Sequence, residues 1–160
     1  MHILVTGGAG FIGTHLVASL LAEGKEVSVL DNLTRGRISN TGKGFRFVQG
    51  DIRDRETVVK AMTGVDILFH LAAQSNVMGA VTDLDYSFTT NVFGTFEVLR
   101  AAKEAGVRRV VFTSSREVYG DAAVLPVSED APLHAKNAYG ASKVAGELYC
   151  RVFGTERGWK

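Results

Sequence analysis

One cysteine, two prolines and one tryptophan among 160 residues set the first limits. Cys150 alone can close no internal disulfide. That excludes a disulfide-stapled secreted scaffold and fits a reducing cytoplasm. Its neighbours on an expected helix make it a packed thiol rather than a reactive one. Both prolines, Pro126 and Pro132, fall in residues 120–136, which read as a loop. No apolar run approaches the roughly 20 residues of a membrane span. The residues at the N-terminus read as a strand, not a signal peptide. Charge of either sign is not in excess: the formal net charge is +1, with no basic stripe and no acidic tail. Nucleic acid and membrane surfaces are therefore not expected partners. Internal repeats and low-complexity segments are absent. His2, His15 and His134 show no metal-ligand spacing, so no metal is expected. His70 reads as a core histidine at a strand end, and Trp159 carries no signal.

Glycine is abundant, with 18 residues, and its placement is the chief signal. Residues 2–13 read His-Ile-Leu-Val-Thr-Gly-Gly-Ala-Gly-Phe-Ile-Gly. Residues 3–5 form an apolar run that fits a buried parallel strand. The chain then passes Gly7, Gly8, Gly10 and Gly13. An apolar helix follows, carrying Phe11, Ile12, Leu16, Val17, Leu20 and Leu21. A strand, a glycine turn and a helix place main-chain amides and a helix N-terminus against a pyrophosphate. That terminus carries about half a positive charge and unpaired donors. Gly10 would admit the diphosphate, Gly7 would make the turn, and Gly13 would let the helix pack on the strand. Two registers fit, Gly7-Gly10-Gly13 and Gly8-Gly10-Gly13. A second strand, 26–30, ends at Asp31, about 20 residues on, where a ribose 2′-hydroxyl needs a carboxylate. Asp31 would also repel a 2′-phosphate, which favours NAD over NADP. Arg35 and Arg37 would partly offset that repulsion.

Strands and helices alternate along the whole chain, so the expected class is α/β: a Rossmann-type, doubly wound parallel sheet of about five strands with helices on both faces. A polar loop follows Asp31, with Thr34, Gly36, Ser39, Asn40, Gly42 and Gly44. Further strands are expected at 45–48, 66–70 and 109–113. Helices are expected at 53–62, 84–105 and 138–153, with Gly64 and Gly106 stopping the first two. Leu71-Ala72-Ala73 reads as a small-residue turn and 74–82 as a loop over the sheet edge. Phe88, Val92, Phe96 and Leu99 recur at helical spacing, which predicts one buried face. The span 1–160 is expected to be one dinucleotide-binding domain.

Tyr139 and Lys143 are four apart on the last helix and share a face. Ser114 and Ser115 lie just past the carboxyl end of strand five, the edge on which such sheets bind ligands. A tyrosine with a pKa near 10 is a poor base at pH 7. Lowering it to about 7 requires roughly 4 kcal/mol of preferential phenolate stabilisation. A nearby ammonium and an oxidised nicotinamide, both cations, would supply it. Tyr139 would then take a proton from an alcohol while Ser115 holds the same oxygen.

The stretches Thr6–Gly13, Asp31-Asn32-Leu33, Gly50-Asp51-Ile52, His70-Leu71-Ala72-Ala73-Gln74, Asn91-Val92-Phe93-Gly94-Thr95, Ser114–Gly120 and Tyr139-Gly140-Ala141-Ser142-Lys143 span nearly the whole chain. Together they resemble the extended short-chain dehydrogenase/reductase family, the NAD-dependent nucleotide-sugar epimerases and dehydratases. The nearest likeness is to its UDP-glucose 4-epimerase branch. There a sugar C4 hydroxyl is oxidised, the 4-keto intermediate turns over, and hydride returns to the other face. The resemblance implies cofactor contacts at Gly7, Gly10, Phe11, Ile12 and Gly13. It adds Asp31 and Asn32 at the adenosine ribose, Arg35 and Gly36 beyond them, and Asp51 and Ile52 flanking adenine. Leu71, Ala72 and Ala73 would line the groove. Asn91 would sit behind the cofactor, with Thr113, Tyr139 and Lys143 completing the set. Ser115, Tyr139 and Lys143 would be catalytic, and Gln74, Ser115 and Glu117 would face the sugar.

Members of the family dehydrating their sugar place an Asp-Glu pair after the catalytic hydroxyl residue. Here Arg116 and Glu117 stand there, which argues against dehydration, while Glu117 leaves a decarboxylase open. The family pairs through its long helix and its Tyr-Lys helix. The apolar residues of 84–105 and 138–153, including Val144, Leu148 and Val152, fit such a homodimer and equally fit packing on the sheet. Family members run to about 300 residues. The chain is therefore expected to be the cofactor half of a larger enzyme, binding NAD but turning over poorly alone, with the nucleotide-sugar site elsewhere. A rival reading is a non-catalytic NAD-sensing module, which would have no need of Ser115, Tyr139 and Lys143 together. A purely structural domain would leave the glycines and Asp31 unexplained.

Overall fold

The computed structural model describes residues 1–38, 43–122 and 124–159. Ser39, Asn40 and Gly42 of the expected polar loop lie outside the described residues, as do Ala123 and Lys160. Five strands form one all-parallel sheet: β1 (His2–Thr6), β2 (Glu26–Asp31), β3 (Arg46–Gln49), β4 (Ile67–His70) and β5 (Arg109–Phe112). Their spatial order is β3-β2-β1-β4-β5. Chain progress reverses between β1 and β4, which opens a crevice at the carboxyl ends of those two strands.

The strands read as apolar runs because both faces of the sheet are covered. Leu4, Leu30 and Leu68 turn to one side and pack with Val58, Met62, Val98 and Ala102. Ile3, Val5, Val27 and Val29 turn to the other and pack with Val17 and Leu20. Helix α1 (Phe11–Ala22) covers the second face; α2 (Arg55–Ala61) and α5 (Thr95–Glu104) cover the first. Asp54 caps α2 by accepting from the Glu56 amide. Glu97 is buried on α5, where Arg55 of α2 and Arg100 both reach its carboxylate, at 3.4 and 2.5 Å.

Four expectations need correction. Residues 74–82 are not all loop: Val77–Thr82 form α3, started by the Asn76 side chain accepting from the Met78 amide. The helix expected at 84–105 is interrupted. It runs as α4 (Leu84–Phe88), a π-helical segment (Thr89–Gly94) and then α5. A π turn carries an extra residue, so the helix before it is rotated by roughly 100° relative to the helix after it. Leu99 is therefore buried while Phe88, expected on the same face, is 60 % exposed. The last helix, α6 (Ala138–Arg157), runs further than 153 and ends at left-handed Gly158. Trp159 is not idle. Its indole N–H donates to the Val107 carbonyl at 2.7 Å and ties the end of α6 to the core.

Candidate functional site

The glycine turn is built by close approach. Gly7 has φ +72°, and its amide donates to the Leu30 carbonyl at 2.8 Å. A Cβ on Gly13 would stand 2.3 Å from the Gly7 oxygen, so α1 can start this close to β1 only without a side chain there. At Gly10 a Cβ would meet the Gly7 oxygen alone, at 3.2 Å. Gly10 caps α1 without a side-chain hydrogen bond, leaving first-turn amides of α1 for an anion.

Asp31 ends β2 and does two things at once. Its Oδ2 accepts from the Ala9 amide of the glycine turn at 3.0 Å, and its Oδ1 accepts from the Leu33 amide at 2.8 Å. Asp31 therefore holds the turn and its own loop, and it still lines the crevice. Asn32 also lines it, while its amide donates to Asp51 Oδ2 at 3.1 Å. Asp51 itself turns away. Arg53 grips its carboxylate through Nε and Nη2 at 2.9 and 2.8 Å and holds its pKa down to about 2.

The crevice encloses about 680 Å³, within the usual range of cofactor sites. It gathers most of the residues expected from sequence. Gly7, Gly10, Phe11, Ile12 and Gly13 form one wall; Asp31, Asn32, Arg35, Gly36 and Ile52 form one end. Leu71, Ala72, Ala73 and Gln74 form the floor after β4, and Thr113, Tyr139 and Lys143 form the other end. Asp51, Asn91, Ser115 and Glu117 are not among the lining residues. Asn91 works from behind: its side chain accepts from the Gln74 amide and donates to the Gln74 carbonyl and to Ser142 Oγ. It thus locks the floor to the π segment and α6. The Glu117 carboxylate is held by the Asn137 amide at 2.7 Å and by Arg116 at 2.9 Å.

Sequence reasoning missed Tyr86 and Thr90, which line the crevice from α4 and the π segment. Thr90 is buried and its hydroxyl has no partner among the described residues. Arg53 covers one face of the Tyr86 ring, 5.0 Å from its centroid. Their four-residue spacing put both on one helix face, but that signal is shared by ordinary core residues.

Tyr139 and Lys143 stand on the first turns of α6, which Asn137 caps by accepting from the Gly140 amide at 2.7 Å. Lys143 is only 4 % exposed. Its ammonium donates to the Thr113 carbonyl at 2.9 Å and lies 5.8 Å from the Tyr139 ring centre. Burial pushes Lys143 down to about 8. Burial raises Tyr139, while a hydrogen bond with Ser115 pulls it back. The site as it stands therefore keeps Tyr139 protonated at pH 7. A depressed tyrosine is not what these residues produce by themselves. Beneath them His70 is neutral, pushed to about 3 by burial and then by the Lys143 charge. Its ring lies between Thr6 Oγ1 at 2.6 Å and Thr95 Oγ1 at 3.0 Å. Cys150, on the same helix, is raised to about 11 by burial, the behaviour of a packed thiol. Among the described residues no helix is long and apolar enough to cross a membrane.

Known proteins share this arrangement. The model of the NAD dependent epimerase/dehydratase family matches residues 3–160. A UDP-glucose 4-epimerase of Mycolicibacterium smegmatis is 45% identical over 160 residues, covering 96% of this chain and 51% of its own length. The crystal structure of a Thermus thermophilus UDP-glucose 4-epimerase in complex with NAD superposes with a TM-score of 0.94 at 41% identity. It covers all of this chain and 53% of its own. A dTDP-glucose 4,6-dehydratase of Streptomyces venezuelae, solved with NAD and TYD bound, superposes with a TM-score of 0.93 at 40% identity. That match covers 99% of this chain and 53% of the dehydratase. The chain spans about half the length of the curated relatives it matches. With the parallel sheet, the glycine turn and the Tyr139–Lys143 helix in one crevice, the chain belongs to the NAD dependent epimerase/dehydratase family.

Proposed function

We propose that residues 1–160 form the NAD-binding domain of a nucleotide-sugar 4-epimerase of the UDP-glucose 4-epimerase type. One observation carries the reading: the glycine turn and Asp31 line the same crevice as Tyr139 and Lys143. A sensor would need only the first pair. The residues fit a dinucleotide. Gly10 leaves room for a diphosphate over the first turn of α1, and Asp31 presents a carboxylate at a ribose. Asp31 disfavours a 2′-phosphate, so NAD is preferred to NADP, although Arg35 stands nearby. NAD, when bound, supplies an acceptor and later a donor of hydride. The chain's own residues handle the proton and the oxygen. Tyr139 takes the proton of the sugar C4 hydroxyl and gives it back after the 4-keto sugar turns over. Ser115 holds that oxygen, and Lys143 keeps positive charge beside the phenol.

The likeness to a dehydratase supports a second reading, sugar-nucleotide dehydration or decarboxylation. Glu117 is the acid–base group it would need. Its carboxylate is tied to Asn137 and Arg116, and Arg116 stands where the acidic partner of a dehydratase pair would be, so epimerisation is preferred. The exposed apolar residues Phe93, Leu148 and Val152 support a homodimer through the 84–105 and 138–153 helices. A single, partly buried cysteine fits a reducing cytoplasm.

Calorimetric titration with NAD tests the cofactor reading. Asp31→Ala should weaken NAD at least about tenfold, and Asp31→Asn, which keeps an acceptor for the turn amides, should weaken it less. Equal binding by all three proteins, or none by any, ends the reading. In the full-length enzyme Tyr139→Phe should abolish sugar oxidation and keep NAD; undiminished turnover would remove Tyr139 as the base.

A further inference from the structure

Two consecutive residues beyond β5 are held by α6 at positions one helical turn apart, and the next faces the same helix. Lys143 Nζ donates to the Thr113 carbonyl at 2.9 Å. Ser114 Oγ donates to Glu147 Oε1 in a short hydrogen bond. Ser115 stands close enough to the Tyr139 hydroxyl to lower its pKa against the effect of burial. Residues 139, 143 and 147 occur at four-residue steps and share one helix face. The approach is close because position 146 has no side chain: a Cβ on Gly146 would stand 2.4 Å from the Phe112 ring.

Ser115 is extended, with φ −152° and ψ 151°. Successive side chains of extended chain diverge. Ser114 goes to Glu147 and Ser115 to Tyr139. Downstream, Ser115 Oγ also accepts from the Glu117 amide at 3.2 Å and starts the 3₁₀ turn Arg116–Tyr119. Upstream, the Thr113 amide donates to the His70 carbonyl at 3.2 Å and continues the sheet. Ser114 is the link between those two anchors, and its hydroxyl is given to a carboxylate. A hydrogen bond to an ionised acceptor is about twice as strong as a neutral one.

We propose that Glu147 is a positioning residue of the site: by holding Ser114 it fixes the backbone that aims the Ser115 hydroxyl at Tyr139. The proposal rests on the reading of Ser115 and Tyr139 as the acting pair. Glu147 is not among the residues that line the crevice. It sets the distance across which that pair works.

Two readouts test it, one of which needs no turnover. In this chain, labelled at tyrosine Cζ, the Tyr139 titration is followed by NMR, with Tyr139→Phe assigning the resonance. Glu147→Ala should raise the midpoint by about 0.5–1 pH unit, as the Ser115 hydroxyl no longer steadies the phenolate. Glu147→Gln keeps an oxygen acceptor and should stay within about 0.2 unit. Ser114→Ala should reproduce Glu147→Ala, and the double variant should add nothing further. In the full-length enzyme Glu147→Ala should lower kcat about tenfold with KM and NAD affinity unchanged, and glutamine should restore it. An unmoved Tyr139 midpoint in folded Glu147→Ala or Ser114→Ala, or additive effects of the two, overturns the proposal. Failure of the wild-type chain to bind NAD would instead strike the functional reading and leave the titration to decide this one. Should Glu147→Ala not fold, Ser114→Ala carries the same test.

Discussion

Replacing Lys143 with methionine should stabilise the unliganded protein at neutral pH and destabilise it at high pH. The ammonium is buried, and its pKa falls from 10.5 to about 8. The unfolded chain therefore binds more protons than the folded one between those two values. Stability rises with pH across that window and is flat below it. At 1.36 kcal/mol per unit, the 2.5 units between 10.5 and about 8 amount to roughly 3 kcal/mol of destabilisation below pH 8. Methionine matches the stem and carries no charge, so it escapes that cost. It also gives up the hydrogen bond to the Thr113 carbonyl, worth about 1 kcal/mol. The net gain expected at pH 7 is about 1–2 kcal/mol, and at pH 10.5 it becomes a loss of about 1 kcal/mol. Urea unfolding of both proteins at half-unit steps from pH 6 to 10.5 measures the difference, in which the other titrating groups cancel. A difference that does not change with pH would refute the reasoning, because the ammonium would then be as well solvated folded as unfolded.

His70 should make the protein acid-sensitive. Its folded value, about 3, lies below its ordinary 6.5, so its contribution is complete above 6.5 and is lost as pH falls toward 3. Urea unfolding should show a loss of about 2 kcal/mol from this residue between pH 6.5 and 5 that His70→Gln does not share; equal slopes for both proteins would count against it. Gly13→Ala should cost about 1–3 kcal/mol or more, since the added carbon meets backbone atoms of Gly7 and Gly8 that cannot yield. A urea midpoint unchanged from wild type would mean that the turn relaxes freely.

Much of this arrangement was legible in the order of residues, for physical reasons. β1, β2 and β4 are covered on both faces, so they print as unbroken apolar runs between turn residues. The glycine spacing is readable because Gly7 and Gly13 each answer a contact that admits no side chain. Helix α3 was hidden because six residues give less than two turns of periodicity, and only the Asn76 cap marks it. The π segment has no compositional signature, yet it rotates Phe88 out of the face that Leu99 occupies. The second duty of Asp31, gripping the Ala9 amide, depends on two residues 22 apart meeting in space. The same holds for Glu117, whose carboxylate is claimed by Asn137.

Burial moves Tyr139 and Lys143, at one end of the crevice, in opposite directions for one reason: low dielectric penalises charge. Tyr139 is pushed up and Lys143 down, so each is held nearer its neutral form. A phenol in that state is no base at pH 7. The Lys143 ammonium already spends a hydrogen bond on the Thr113 carbonyl, and the Ser115 bond does not offset the burial of Tyr139. Ionising an ordinary phenol near neutrality takes roughly 4 kcal/mol, a buried one more, and these side chains do not supply it. It must arrive with positive charge brought into the crevice, where low dielectric makes that charge count for more. If Tyr139 is the base of the proposed reaction, the same burial ties its activation to occupancy. On the proposed reading, a site so arranged stays inert toward stray alcohols until the oxidised cofactor is seated beside Tyr139.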